Sequence, residues 1–392
     1  MAKVQPITIQ HAAVWNGHIS EQRDLYFDER VLESPTSDAL TIDLTGYTVF
    51  PGMVNAHDHL ELNHYPRTKF REKYDNAHQW GEDVNARLNT EPYKSLRAYP
   101  LWDRCFIGGL KNLLCGATTV AHHGPPHKPL FRPNFPVRVL KKYGWAHSLH
   151  FNTESEVVAS YRNTPHNFPW FIHLAEGTDE VAKSEYARLK ALGCVGKKTV
   201  IVHGVGMTLE DIADAVQQVR GLVWCPSTNH YLLGETTKLI SDWRQLGGYV
   251  AIGSDSRLTA DGDFVEEALF ARDESGCDVN CVEEAIRCHP AHILGLSDVG
   301  HLNIGARADL IVGEHRRKNL QLIIRGGIPQ IGDPELMAKF PRTETVPATL
   351  DGIPKAINVN LARQIARCTL KEPGLELLEV PRRTLFGGVF SR

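Results

Sequence analysis

Several protein classes are excluded by what this sequence lacks. Its eight cysteines form no Cys-x-x-Cys pair, and several stand in apolar runs. That pattern fits no zinc knuckle and no disulfide frame, and it points to reduced thiols in a cytosolic protein. Cys277, Cys281 and Cys288 lie close together, but one helical turn accounts for the first two. No apolar run is long enough to span a membrane, and the first residues lack the apolar core of a signal peptide. An excess of one charge is also missing: 43 Lys+Arg against 46 Asp+Glu leave a formal net charge of −3. Bulk charge therefore offers no hold on nucleic acid or an acidic membrane. The expected partner is a small-molecule substrate, with no nucleic acid and no membrane. A homodimer is kept open as the assembly.

The 392 residues, 42% hydrophobic and 23% charged, suit one large catalytic unit and a smaller module. Short alternating runs fill residues 1–49, such as Ile7-Thr8-Ile9 and Leu40-Thr41-Ile42-Asp43-Leu44, and predict small strands. Asp309–Gly313 and Leu320–Gly327 read the same way. The two ends are therefore expected to meet in one β-sandwich, residues 1–49 plus 303–328. Between them, residues 50–302 alternate strand and helix, the signature of a parallel sheet built from βα units. Seven strands are legible there, one short of an eight-stranded barrel. Either one is hidden, or a βα unit is lost between Phe151 and Trp170. A helix is expected near 134–143, and another over 281–294. The long polar segment at about 60–98 is expected to form a lid. Residues 329–392, with a helical pattern over Ala356–Ala366, are expected to form an extension packed on the body.

Nineteen histidines direct attention to metal or proton chemistry. The apolar run ending Val54-Asn55-Ala56-His57-Asp58-His59 is the central feature. Residues i and i+2 of a strand share a face, so His57 and His59 can offer two imidazoles to one point while Asp58 turns away. Three further strands end in polar groups: His173 with Glu176 just beyond, His203, and Asp255. Alone, each reads equally well as a cap or a satisfied core histidine. Four at the C-terminal ends of parallel strands, where barrel sites lie, point to one shared metal site.

These motifs resemble the amidohydrolase superfamily, in its cytosine deaminase and chlorohydrolase branch. The matching stretches are Pro51–His59, Gly116–Val120, His173-Leu174-Ala175-Glu176, Val202-His203-Gly204, Cys225–Asn229, Gly253–Ser256 and Gly305–Val312, in family order. The resemblance implies a distorted TIM (β/α) barrel holding one divalent metal ion, zinc or else iron. It implies His57, His59, His173 and Asp255 as ligands, leaving an open position for water. By the same resemblance Glu176 shuttles a proton, Asp255 accepts the water's proton, and His203 donates to the developing oxyanion or ring nitrogen. No lysine suited to bridge two metals stands on a middle strand, so a mononuclear site is expected. His122 stands where an acid is common in the family. His123, Asn229, Trp102 and Arg257 are the candidate substrate-binding residues, with Trp80 a further candidate for the pocket wall.

The implied reaction is hydrolysis at a carbon–nitrogen bond by metal-bound hydroxide, most simply deamination of a small heterocyclic amine. Hydrolysis of a cyclic amide, or release of a halide, is the alternative within the same ligand shell. A non-catalytic binding or assembly protein on this fold is the alternative from another class, and the full ligand set argues against it.

Overall fold

Eight short parallel strands organise the middle of the chain. The computed structural model describes residues 4–379 except 16, 18, 276–278 and 314–319. The strands are β1 (Met53–Asp58), β2 (Ala117–His122), β3 (Arg138–Val139), β4 (Gly144–Ala146), β5 (Trp170–Leu174), β6 (Thr199–His203), β7 (Gly221–Trp224) and β8 (Val250–Ile252). One parallel ladder has the order β3-β2-β1, and a second runs from β4 through β8. β8 lies beside β1, and Asp255, just past the end of β8, donates its N–H to His57 O at 3.0 Å. The ladders do not close into one hydrogen-bonded ring.

Strand periodicity explains why this layer holds. Phe171, Val200, Val202, Val223 and Ala251 share one buried cluster with Val54 and Ala56. Their neighbours Ile172, Ile201, Leu222, Val250 and Ile252 belong to a second, with helix residues such as Tyr186, Leu189 and Ile212. A parallel sheet covered on both faces favours apolar side chains on both, and β5 to β8 carry them at most positions.

The strand missing from the sequence count is β3. Residues 134–143 form no helix: Pro136 disfavours one, and Val137 and Val139 favour an extended chain. Arg138 pairs with Asp309 at 2.8 Å and anchors the short strand. No helix separates β3 from β4, so a helix rather than a strand is missing from the pattern. The interval before β5 is complete, with a helix over Glu154–Asn163 started by a Thr153/Glu156 capping box. The helix expected over 281–294 is two, Val279–Ile286 and Cys288–Leu294. Pro290 has no N–H to give the preceding turn and clashes with it, which breaks the run.

The two ends of the chain share a nine-stranded sheet. Ala13–Trp15, Ser20–Gln22 and Thr48–Pro51 come from the start, and six strands from Leu310–Gly313 to Leu375–Leu377 come from the end. Thr48–Pro51 pairs in parallel with Ala13–Trp15 and antiparallel with Leu310–Gly313. A four-stranded sheet that includes Ile7–Gln10 and Leu25–Phe27 packs against it through Ile9, Phe27, Leu310, Val312, Leu322 and Ile324. The alternate residues Ile311 and Ile323 face the other core. Residues from 328 on, all but the first of them read from sequence as an extension (329–392), supply four strands of this sheet. Their helix is Val359–Arg367, because Ala356, Ile357 and Asn358 complete a strand first.

The segment 60–98 carries helices Ala77–Asn85 and Tyr93–Arg97. Among the described residues no helix is long and apolar enough to cross a membrane. Cys277 lies outside the described residues, and none of the other seven cysteines is in a disulfide.

Candidate metal centre

Three imidazoles and a carboxylate meet where β1, β5 and β8 end. His57 Nε2 and His173 Nε2 stand 3.4 Å apart. Asp255 Oδ1 lies 3.8 Å from His57 Nε2 and 3.6 Å from His59 Nε2. The ligand atoms of His57, His59 and His173 all fall within 4.8 Å of one another, as do those of His57, His203 and Asp255. Four donors around an ion at bond lengths near 2.1 Å stand about 3.4 Å apart, so the spacing fits a tetrahedral zinc shell.

Electrostatics suit the same purpose. His57 and His173 are held well below the usual imidazole value, by burial first and then by neighbouring histidines. Both are therefore neutral, and neutral imidazole nitrogens turned toward one point are suited to hold a metal ion. Asp58 points away from the cluster. Its carboxylate meets Lys111 at 3.2 Å, Asn112 at 2.7 Å, Asn63 at 2.8 Å and Ser254 at 3.2 Å, all buried. That network braces β1 from behind.

Backbone strain gathers here. Among described non-glycine residues with positive φ are Ala175 (53°), His203 (75°) and Asp255 (51°). The left-handed region is costly for a side chain with a Cβ, and such residues concentrate where geometry matters to function. In β6, Val200 and Val202 share one face, so His203 belongs on the other by alternation. Its positive φ re-aims it at the cavity. Ala175 does the same for Glu176, and Asp255 turns itself toward β1.

Glu176 is held well above the usual carboxylate range, by burial first and then by Asp255 and Glu185. That environment favours the protonated carboxyl. His203 Nε2 lies 3.4 Å from Glu176 Oε2, and His203 Nδ1 donates to Asn229 Oδ1 at 2.8 Å. Burial brings His203 down to about 4, against smaller opposing effects from Asp255 and Asn229. With Nδ1–H committed to Asn229, the Nε2 of neutral His203 carries a lone pair. It donates a hydrogen bond there only in its doubly protonated form.

A cavity of about 460 Å³ opens above these groups. His59, His123, His173, Glu176, His203 and Asp255 line its floor, and Tyr65, Trp80, Tyr93 and Phe151 line its walls. Among the described residues no lysine or arginine lines it. A larger open cleft, of about 600 Å³, surrounds Arg220 and Tyr249 ahead of β7 and β8, at the opposite end of the strands from the histidine cluster.

Three candidate substrate contacts stand elsewhere. Arg257 is held by Glu372 at 2.7 and 2.9 Å and borders another cleft. Trp102 packs on Phe106 and Phe135, with Arg132 over its ring. Asn229 is fully buried and meets His203, not the cavity. His123 does line the cavity, with Nε2 3.0 Å from Ala146 O. Missed from sequence were His147, Trp145 and Phe151 on the wall near the end of β4, and Lys111 behind β1. A lysine inside an apolar helix, Leu110-Lys111-Asn112-Leu113, was the available signal for the last.

The amidohydrolase family model matches residues 137–331. That match, over just under half of the chain, supports the amidohydrolase superfamily. Within it, 167 residues are 31% identical to the 5-methylthioadenosine/S-adenosylhomocysteine deaminase of Moorella thermoacetica. That match covers 38% of this chain and 39% of the curated relative, well under half of its length. Two solved structures share the fold more broadly. An adenosine deaminase from Xanthomonas campestris with bound zinc matches at a TM-score of 0.64 and 17% identity, over 83% of this chain and 92% of that one. The zinc complex of an atrazine chlorohydrolase from Arthrobacter aurescens matches at 0.67 and 14%, over 82% and 94%.

Proposed function

We propose that this amidohydrolase-superfamily chain is a metal-dependent hydrolase of carbon–nitrogen bonds whose reaction is deamination of a small heterocyclic amine. The observation that carries the reading is the meeting of three imidazoles and Asp255 beside Glu176, whose carboxyl is held well above its usual range. We assign His57, His59, His173 and Asp255 as ligands of one divalent ion, zinc by this nitrogen-rich donor set, with iron as the alternative. When bound, such an ion makes water acidic enough to supply a nucleophile near neutral pH. The chain's own groups do the rest. Asp255 accepts the proton that water gives up. Glu176 holds a proton for the departing nitrogen. His203, oriented by Asn229, faces the negative charge that develops and would donate to it at Nε2 in its doubly protonated form. The aromatic walls, and a described lining without lysine or arginine, suit an uncharged planar ring.

Release of another leaving group, or hydrolysis of a cyclic amide, is the second reading, supported by the shared fold with a chlorohydrolase. An ammonia-release screen over purines, pyrimidines, pterins and triazines, run beside lactams and chlorinated rings, separates the two. Ammonia from one ring class is expected. Chloride or ring-opened product without ammonia would overturn deamination. We also infer a cytosolic protein with reduced thiols, acting on a small molecule and able to work as a homodimer. Its divisions would be a catalytic unit (50–302) and a β-rich unit made by both ends of the chain (1–49 plus residues from 303 on), since the strands after residue 327 continue the shared sheet.

A further inference from the structure

A second group of metal-ligating side chains stands beside the first. We propose that Glu61, His122 and His127 form a separate divalent-cation site in the cavity wall. Glu61 lies in a short turn of 3-10 helix (Leu60–Leu62) past His59, His122 ends β2, and His127 follows in the next loop. Their ligand atoms lie within 4.8 Å of one another. Glu61 Oε2 is 3.6 Å from His122 Nδ1, and Glu61 Oε1 is 3.9 Å from His127 Nε2.

Hydrogen bonding places the lone pairs. His122 Nε2 is 3.2 Å from Pro125 O. A carbonyl only accepts, so Nε2 carries the hydrogen. Nδ1 in turn lies 3.4 Å from Leu60 N–H, a long contact in which Nδ1 is the acceptor. The lone pair of neutral His122 is therefore on Nδ1, and Nδ1 also faces Glu61 Oε2. That oxygen is buried and has no hydrogen-bond partner. Two acceptors face each other in a buried place, and a positive charge between them resolves the arrangement.

Geometry favours a metal ion over a proton. A separation of 3.6 Å is too long for a good hydrogen bond. Metal bonds of about 2.0–2.2 Å set neighbouring ligand atoms roughly 3.0–3.5 Å apart, so a closure of a few tenths of an ångström completes the shell. His127 is partly exposed and free to make that adjustment. Gly124 keeps the space open: a Cβ there would lie 3.0 Å from His122 Nε2 and 3.6 Å from Glu61 Oε1. Two imidazoles and one carboxylate suit Zn²⁺ or Co²⁺ better than Mg²⁺ or Ca²⁺. Glu61 itself lines the cavity, so a remaining coordination position is open to water or to a substrate oxygen.

The site is independent of the reaction proposed above, and metal counting tests it directly. The metal-free full-length chain is reloaded with Zn²⁺, freed of excess and analysed for bound zinc. Wild type is expected to hold close to two equivalents. His127→Gln and Glu61→Gln are each expected to lose one, as is His173→Ala through the other centre. Reloading with Co²⁺ should give a wild-type visible spectrum that loses one component in His127→Gln. A zinc count unchanged in both Glu61→Gln and His127→Gln would overturn this site, whatever His173→Ala does. A loss in those two with none in His173→Ala would support it and overturn the first centre instead.

Discussion

Neutral histidines make this site, and burial keeps them neutral. His57, His123 and His173 all lie well below the usual imidazole value with burial as the first cause. The same burial, helped by Asp255, keeps a proton on Glu176. Glu176→Gln is therefore expected to retain bound zinc while turnover falls by roughly 10²–10⁴-fold, the usual range for a lost general acid. Near-wild-type turnover in that variant would reject the assignment. Asn229 acts through His203, so Asn229→Leu leaves the imidazole Nδ1–H without its acceptor. A loss of about 1–3 kcal/mol in transition-state stabilisation is expected, seen as a fall in kcat/KM of roughly 10–100-fold. Kinetics unchanged from wild type would show that this hydrogen bond does not orient the ring. The residues read as ligands from sequence come together, because His-x-His at a strand end depends only on local periodicity. Arg257 and Trp102 do not join them. Nothing local reveals that Glu372, more than a hundred residues downstream, claims the guanidinium.

Elements explain what the motifs alone leave open. Strand alternation places Val200 and Val202 correctly but would put His203 on the wrong face, and only its backbone φ of 75° corrects that. Such a reversal leaves no trace in the pattern of apolar residues. β3 is illegible for a related reason. Two residues are too few for a periodic signal, and Asp309 of a distant strand helps to hold them. The long helix Leu101–Leu114 carries Lys111 into the core behind β1, where both it and Asp58 are fully buried. Removing one partner of a buried pair leaves an uncompensated charge. Lys111→Met is thus expected to cost about 3–5 kcal/mol in urea unfolding. Adding Asp58→Asn should recover part of it. A loss below about 1 kcal/mol in the single variant would mean that the pair does not brace the strand.

The whole molecule joins its ends in one sheet, which the β-rich runs at both termini foreshadowed. The strands after residue 327 were hidden among prolines and a helical pattern. Titration is a property of this larger scale. His147 and His203 sit at about 4, both with burial as the leading cause, against an ordinary value of 6.5. Between pH 6.5 and 4 the unfolded chain binds protons that the folded chain refuses, so stability falls as pH drops through that window. Each such histidine contributes a slope of about 1.4 kcal/mol per pH unit. Glu176 and Glu267, kept protonated by burial, act in the opposite direction, but the depressed histidines outnumber them. Urea midpoints of the metal-free chain should therefore be lower at pH 5 than at pH 7.5, and an equal or higher midpoint at pH 5 would contradict this balance.

The central claim is that one divalent ion sits among His57, His59, His173 and Asp255. Anomalous diffraction at the zinc edge, from crystals of zinc-loaded protein, tests it most directly. A peak is predicted at about 2.0–2.2 Å from the three Nε2 atoms and from an Asp255 oxygen. Zinc-loaded crystals with no anomalous density between those side chains would contradict the account.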